Sequence, residues 1–260
     1  VMRELFKRWW LKIYSAVVVP GQMAKSYMEN LGVPSSRIHT GGMYVVDNEY
    51  FAHQSELARR KMHFLRGELD LPLHYFLYVG RLAPEKNLQA LLEAYAEAKC
   101  SCKADWGLVL VGDGPMRSQL ECTANELHVS SDVKFTGFQQ IETLPMYYAL
   151  ATVFVLPSLS EPWGLVVNEA MACGLPVLVS SHCGCHTELV EEGGNGYTFS
   201  PSNKDQLASL LAAFMMGHYD VIKMGRRSRE IIGRFTPAGA AQVLLNVIHL
   251  HLHSGSSYAQ

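Results

Sequence analysis

VFVLPSLSEPWGLVVNEAMACGLPVLV, residues 153–179, reads as strand, turn, helix and strand. Val153–Leu156 is a continuous apolar run, as in a strand buried on both faces, and residues 176–179 are another. Between them Gly164 opens a helix over 164–173, bracketed by Glu161 before the turn and Glu169 inside the helix. Upstream, Tyr75–Val79, residues 108–111 and residues 133–136 repeat the apolar-run signature, and Gly196–Phe199 is a sixth candidate strand. Helical periods separate them: Leu88, Leu91, Leu92 and Tyr95 after Asn87 as an expected N-cap, a helix from Pro115 to about His128, a short one over 143–150, and further helices at 186–192, 203–216, 220–232 and 237–252. Strand–helix alternation at this spacing predicts an α/β fold with a doubly wound, parallel, Rossmann-like sheet. Ligands of such sheets bind beyond the carboxyl ends of the strands. Arg81, Asp113, Phe138 and Glu161 each stand just after an expected strand.

The residues at those ends suit a sugar joined to a diphosphate. VGRLAPEKN, residues 79–87, supplies Gly80, Arg81 and Lys86 at a strand-to-helix turn. Negative charge grows on a diphosphate as it leaves a sugar, and two fixed cations stabilise that transition state more than the ground state. The plainer alternative for Arg81 is a surface ion pair with Glu85. Gly164 and Leu165 open a helix whose N–H groups and dipole form a second anion site. Carboxylates accept hydrogen bonds from paired hydroxyls, at about 1.5–3 kcal/mol for each well-made bond. Glu169 is assigned to a ribose and Glu161 to a hexose. Val166, Val167, Ala170 and Met171 make the Glu169 helix apolar, which argues against a merely solvated glutamate.

Composition narrows the class. The chain has 260 residues, 48% hydrophobic and 18% charged, with a net charge of −2. That is ordinary for a globular protein with a sizeable core and gives no field for nucleic acid. No signal-peptide pattern stands at the first residues, and no apolar run is expected to span a bilayer. Cysteines 100, 102, 122, 173, 183 and 185 are read as free thiols of a reducing, cytoplasmic setting. Cys183-Gly-Cys185-His186 lacks a second ligand pair at zinc spacing, so no metal is expected.

The first seventy residues fit the sheet less well. Residues 1–12 read as a basic helix with Trp9 and Trp10, residues 16–19 as a strand, and 26–31 as a short helix. A lone βα unit cannot bury both faces of its strand. Residues 1–45 are therefore read as the remnant of a preceding domain and linker, or as material folded back on the main sheet, with 46–260 as the ligand-binding domain. Residues 48–70 are expected to form a charged linker helix. The basic aromatic start is read chiefly as a domain stub, with contact to an anionic membrane as the lesser alternative.

Residues 144–177, from Leu-Pro-Met-Tyr-Tyr-Ala to Cys-Gly-Leu-Pro-Val, together with 79–87, 111–115, 135–138 and 195–199, fall in the order of the retaining glycosyltransferases of family 4, which have the GT-B fold. The chain resembles that family's carboxyl-terminal, donor-binding half over about residues 14–250. The resemblance implies retaining, metal-independent hexosyl transfer from a UDP-, GDP- or ADP-sugar to an acceptor, with no cofactor. It implies diphosphate contacts for Arg81 and Lys86, the donor sugar on Glu161, phosphate on the Gly164 and Leu165 N–H groups, ribose on Glu169, and the base near Phe138 and Gln139. Asp113 carries no Asp-x-Asp partner, in keeping with metal independence. Cys185 departs from a glycine common in the family. The chain is also short for a two-domain enzyme, so an absent amino-terminal domain, or a partner covering the same surface, is expected, with the chain alone inactive. A non-catalytic nucleotide-sugar binding module is the alternative function, and a sugar-nucleotide epimerase or phosphorylase of the same fold a third.

Overall fold

The computed structural model describes the backbone of residues 2–254 and the side chains of residues 6–251. The chain divides into two compact units. One holds the chain up to Asp47 with the chain from Arg234 onward; the other is Asn48–Gly233.

The first unit begins with α1 (Met2–Trp10), β1 (Val17–Val19), α2 (Gln22–Asn30) and β2 (Ile38–Thr40). The two strands pair in parallel, Val17 opposite Ile38 through Val19 opposite Thr40. Val19, Val33 and Ile38 form a small core, with Leu11, Val17, Ala24 and Met28 packed around it. The sequence reading offered a lone strand here. β2 was missed because only Ile38 of its three residues is apolar, and β2 completes a βαβ unit. This two-stranded sheet is separate from the larger one, so these residues do not extend the main sheet.

The second unit opens with α3 (Asn48–Arg60) and α4 (Met62–Glu68) in place of the expected single linker helix; the break falls at Lys61, whose φ of −111° leaves the helical range. Phe51, Ser55 and Ala58 of α3 are buried, which makes it part of the packed unit. Then follow β3 (Tyr75–Val79), α5 (Leu88–Cys102), β4 (Gly107–Val111), α6 (Arg117–Glu126), β5 (Val133–Gly137), α7 (Leu144–Leu150), β6 (Val153–Leu156), α8 (Leu165–Ala172), β7 (Val177–Ser180), α9 (His186–Leu189), β8 (Gly196–Phe199), α10 (Lys204–Met215) and α11 (Val221–Ile232). The last helix, α12 (Pro237–Ser254), belongs to the first unit.

The main sheet is six-stranded and parallel, in the order β5-β4-β3-β6-β7-β8. β3, β4, β6 and β7 are buried at every position, as their unbroken apolar runs require. Each large side chain buried there contributes about 1.5–3 kcal/mol. The edge strands β5 and β8 are only half-buried. The chain winds outward from β3 to β5, returns to β6 beside β3, and winds the other way to β8. That reversal between β3 and β6 is the switch point at which doubly wound sheets hold ligands.

By length and composition, Val221–His251 passes as a membrane-crossing stretch, with a mean hydropathy of 1.3 over its best window. This corrects the reading that no run is long enough. It is two helices, however, with Pro237 starting the second, and α11 carries Lys223, Arg226, Arg227 and Arg229.

Candidate functional site

Glycine sets the shape of the carboxyl end. Gly80 leaves β3 at φ 150° and Gly112 leaves β4 at φ 136°. A Cβ on Gly112 would lie 1.9 Å from Gly80 O, and one on Gly114 2.4 Å from Leu82 O. The two turns are pressed backbone to backbone, fastened by Gly80 N–H to Val111 O (2.9 Å) and Leu82 N–H to Asp113 O (2.9 Å). Tyr78, buried beneath, donates its hydroxyl to Arg81 O at 2.9 Å. Burial pushes that hydroxyl's pKa up, so it stays a donor.

The turn presents its cations differently. Arg81 is mostly exposed and pairs with Glu85 at 2.6 Å, as the plainer sequence alternative held; this bond draws the Glu85 carboxyl below its usual range. Lys86 is mostly buried and bonds across the switch point to Glu161 Oε2, itself mostly buried. Loop 157–161 is tied to the same turn by Leu159 N–H to Glu85 O (2.9 Å). Asn87 does not cap α5 with its side chain as expected. It adopts φ 57° and its Nδ2 donates to Pro201 O, fixing the Lys86 turn to the loop after β8.

Glu161 leads into Gly164, which takes φ 100° at the mouth of α8; a Cβ there would meet Leu156 Cδ2 at 2.9 Å. Val167 N–H is the first to close a turn, onto Gly164 O, which leaves the Leu165 and Val166 N–H groups facing out of the helix mouth. Buried Trp163 donates Nε1–H to Asn168 Oδ1 at 3.0 Å and pins the turn from below. Within α8, Glu169 accepts from Tyr148 Oη at 2.7 Å. Burial pushes its carboxyl up to about 7, against the pull of the tyrosine hydroxyl.

Lys86 and Glu161 are thus in direct contact, with Gly164 and the α8 mouth in the same loop. Arg81 and Glu169 are placed on the bordering elements without touching that pair. Phe138 is 71% exposed after β5, and Gln139 Nε2 donates back to Thr136 O. Asp113 Oδ1 accepts from Gly114 N–H, so it shapes its own turn. His182 Nδ1 lies 2.9 Å from Leu159 O and His186 Nδ1 3.0 Å from Cys183 O, both engaged with backbone. Cys185 sits at φ −86°, where any residue fits, so it imposes no strain on its loop. Gly184 is the constrained position, because a Cβ would lie 2.0 Å from Pro162 O. Burial pushes the Cys183 thiol up to about 12 and raises Cys185 further from reactivity. Tyr78, Tyr148 and Asn87, which position Arg81, Glu169 and Lys86, carried no signal that sequence reading could use: each acts through a bond that only the fold creates.

A parallel sheet with a basic turn and a carboxylate meeting at its switch point defines a doubly wound, GT-B type ligand-binding fold. The chain belongs to the glycosyl transferases group 1 family, whose profile matches residues 66–230. It is 33% identical over 195 residues to a sulfoquinovosyl transferase of Arabidopsis thaliana, covering 73% of this chain and 34% of that one. It is 40% identical over 132 residues to an uncharacterized glycosyltransferase of Methanocaldococcus jannaschii, covering 51% and 33%. Among solved structures, a sucrose-phosphate synthase of Thermosynechococcus elongatus is 26% identical with a TM-score of 0.74, over 98% of this chain and 62% of that one. The Anabaena HepE protein in complex with UDP is 23% identical with a TM-score of 0.75, over 90% and 64%. The chain spans about a third of the length of the first two relatives.

Proposed function

We propose that this chain is the donor-binding part of a retaining, metal-independent glycosyltransferase, taking a nucleoside-diphosphate sugar, with the domain beginning near residue 46. The Lys86–Glu161 contact at the β3/β6 switch point carries the reading. The Anabaena structure, solved with UDP on the same fold, supports it. The Lys86 ammonium rests on the Glu161 carboxylate. An entering diphosphate takes Lys86 and Arg81 as its cations, together with the α8 mouth, and frees Glu161 to accept hydrogen bonds from hexose hydroxyls. Glu169 accepts from the ribose, and Phe138 offers an exposed ring near the base.

As the bond from the anomeric carbon to the β-phosphate oxygen breaks, charge builds on that oxygen, where the two cations and the helix mouth stabilise it. The acceptor hydroxyl adds from the same face, its proton passing to the leaving phosphate. Acceptor binding falls to an amino-terminal domain or to a partner covering the same surface, so this chain alone is expected not to turn over.

Calorimetry in the presence of a chelator tests the reading. At least one of UDP, GDP and ADP, bare or sugar-linked, should bind, and Arg81→Ala should weaken it. Failure of all of them to bind removes the proposal; turnover by this chain alone with a donor and a panel of acceptors removes the need for a second domain.

A further inference from the structure

A second basic site lies at the other end of the same sheet. His74, Thr152 and Pro176, which immediately precede β3, β6 and β7, line a cavity of about 500 Å³. Four arginines enter it: Arg59 from α3, Arg66 from α4, and Arg226 and Arg229 from α11. Glu56 is the one carboxylate in its lining. Among the described residues, none of the four guanidiniums forms an ion pair, whereas neighbouring Arg227 has two, with Glu191 and Glu230.

What holds the arginines is backbone dipole. Arg59 and Arg229 both donate to Cys173 O, at the carboxyl end of α8, and Arg66 donates to Leu150 O at the end of α7 and to Pro72 O. The ends of helices are partly negative, so cations rest well there. Such bonds orient a guanidinium without cancelling its charge. Arg59 accordingly has its pKa lowered, by burial first and by the charge of Arg229 second.

Two glycines bring the groups this close. A Cβ on Gly225 would stand 2.1 Å from Gly174 O, and Gly174, at φ 78°, lies directly under the Arg229 guanidinium. Helix-end capping accounts for Arg59, Arg66 and Arg229. It does not account for Arg226, whose guanidinium makes no hydrogen bond among the described residues, or for the open volume between them. At the rim Leu73 and Ile222 are 66% and 75% exposed.

We propose that this cavity is a second anion-binding site, taking a phosphate- or diphosphate-bearing ligand between the four arginines with its apolar portion against Leu73 and Ile222. Planar guanidiniums match phosphate oxygens two at a time, and clusters of them without acids are what such recognition requires. The same chemistry serves a free phosphorylated metabolite and a phospholipid headgroup.

The test uses the full chain with excess UDP, to occupy the opposite end of the sheet, and inorganic pyrophosphate as the calorimetric probe. Arg226→Glu removes no side-chain hydrogen bond found among the described residues and should weaken pyrophosphate binding by at least about tenfold. Arg226→Gln, removing charge without reversing it, should fall between. Sedimentation with phosphatidylglycerol and with phosphatidylcholine vesicles then separates the sources. Retention by the anionic vesicles, lost in Arg226→Glu, assigns a lipid headgroup, and pyrophosphate binding without vesicle retention assigns a soluble phosphate. Equal pyrophosphate affinity in wild type and Arg226→Glu, or no binding at millimolar pyrophosphate, overturns the site.

Discussion

The two ends of the main sheet collect cations by opposite means. At the carboxyl end Arg81 and Lys86 are each paired with a carboxylate, and the loops that carry them are shaped by glycines that permit backbone-to-backbone contact. At the amino end Arg59, Arg66 and Arg229 rest on helix-end carbonyls, and the Arg226 guanidinium has no hydrogen bond or ion pair among the described residues. The first end pairs each cation with a carboxylate; the second keeps an excess of positive charge. Loop geometry therefore governs the one, and helix dipoles govern the other.

The largest way to break this contrast is at the glycines. Gly112→Ala would drive a Cβ to 1.9 Å from Gly80 O at φ 136°, with no flexible atom to yield. A loss of ~4 kcal/mol or failure to fold is expected, read by thermal unfolding. Gly174→Ala at the other end meets the Arg229 guanidinium, which can move, so ~1–2 kcal/mol is expected there. Equal losses at the two positions would erase the distinction.

Next come the cations. Lys86→Ala removes a mostly buried partner from Glu161 and should weaken nucleoside-diphosphate-sugar binding by about 100-fold. Arg81→Ala, at an exposed side chain, should weaken it by about tenfold. Calorimetry that reverses this order would show the exposed arginine to be the principal contact.

The Glu169 carboxyl sharpens the comparison through pH. Its pKa in the fold is about 7, against about 4.3 for a free glutamate. Between those values the folded chain keeps a proton that the unfolded chain has released. This group's effect on folding is absent below the lower value and destabilising as pH rises through the window, complete above about 7. Urea unfolding at stepped pH should show that slope, and Glu169→Gln should flatten it. For the proposed ribose contact the sign reverses, since the charged carboxylate accepts more strongly, and with both oxygens, than the protonated acid does. Affinity for a ribonucleotide should rise as pH passes through 7, with Glu169→Gln lacking the rise.

The smallest expected effect is at the exposed Arg227–Glu191 pair, 2.5 Å apart. Glu191→Gln should leave the urea-unfolding midpoint unchanged within error, because an exposed pair is screened by solvent.

The sheet was legible because its signal is local. Tyr75–Val79 and Val153–Leu156 were read with the bounds the structure gives them, since a strand buried on both faces must be apolar throughout, and the half-buried edge strand Gly196–Phe199 was read with its bounds as well. Gly80, Arg81 and Glu161 could be picked out because they follow strands in chain order, and Lys86, Gly164, Leu165 and Glu169 because they stand at or within the turns and helix that come next. What stayed hidden depends on distant partners. β2 is a strand because β1 lies beside it, Asn87 serves Pro201 across the fold, and Lys61 ends a helix for a reason that composition does not announce. The arginine cavity was invisible for the same reason: Arg59, Arg66, Arg226 and Arg229 are scattered over three helices and meet only after folding.

The bond between Lys86 and Glu161 ties the fate of the carboxylate to whatever takes the ammonium. On the proposed reading, a bare nucleotide that captured the ammonium would leave the carboxylate without its cation, while a sugar-linked one would offer it hydroxyls in exchange. The same side-chain swap would then favour the incoming donor over the spent product.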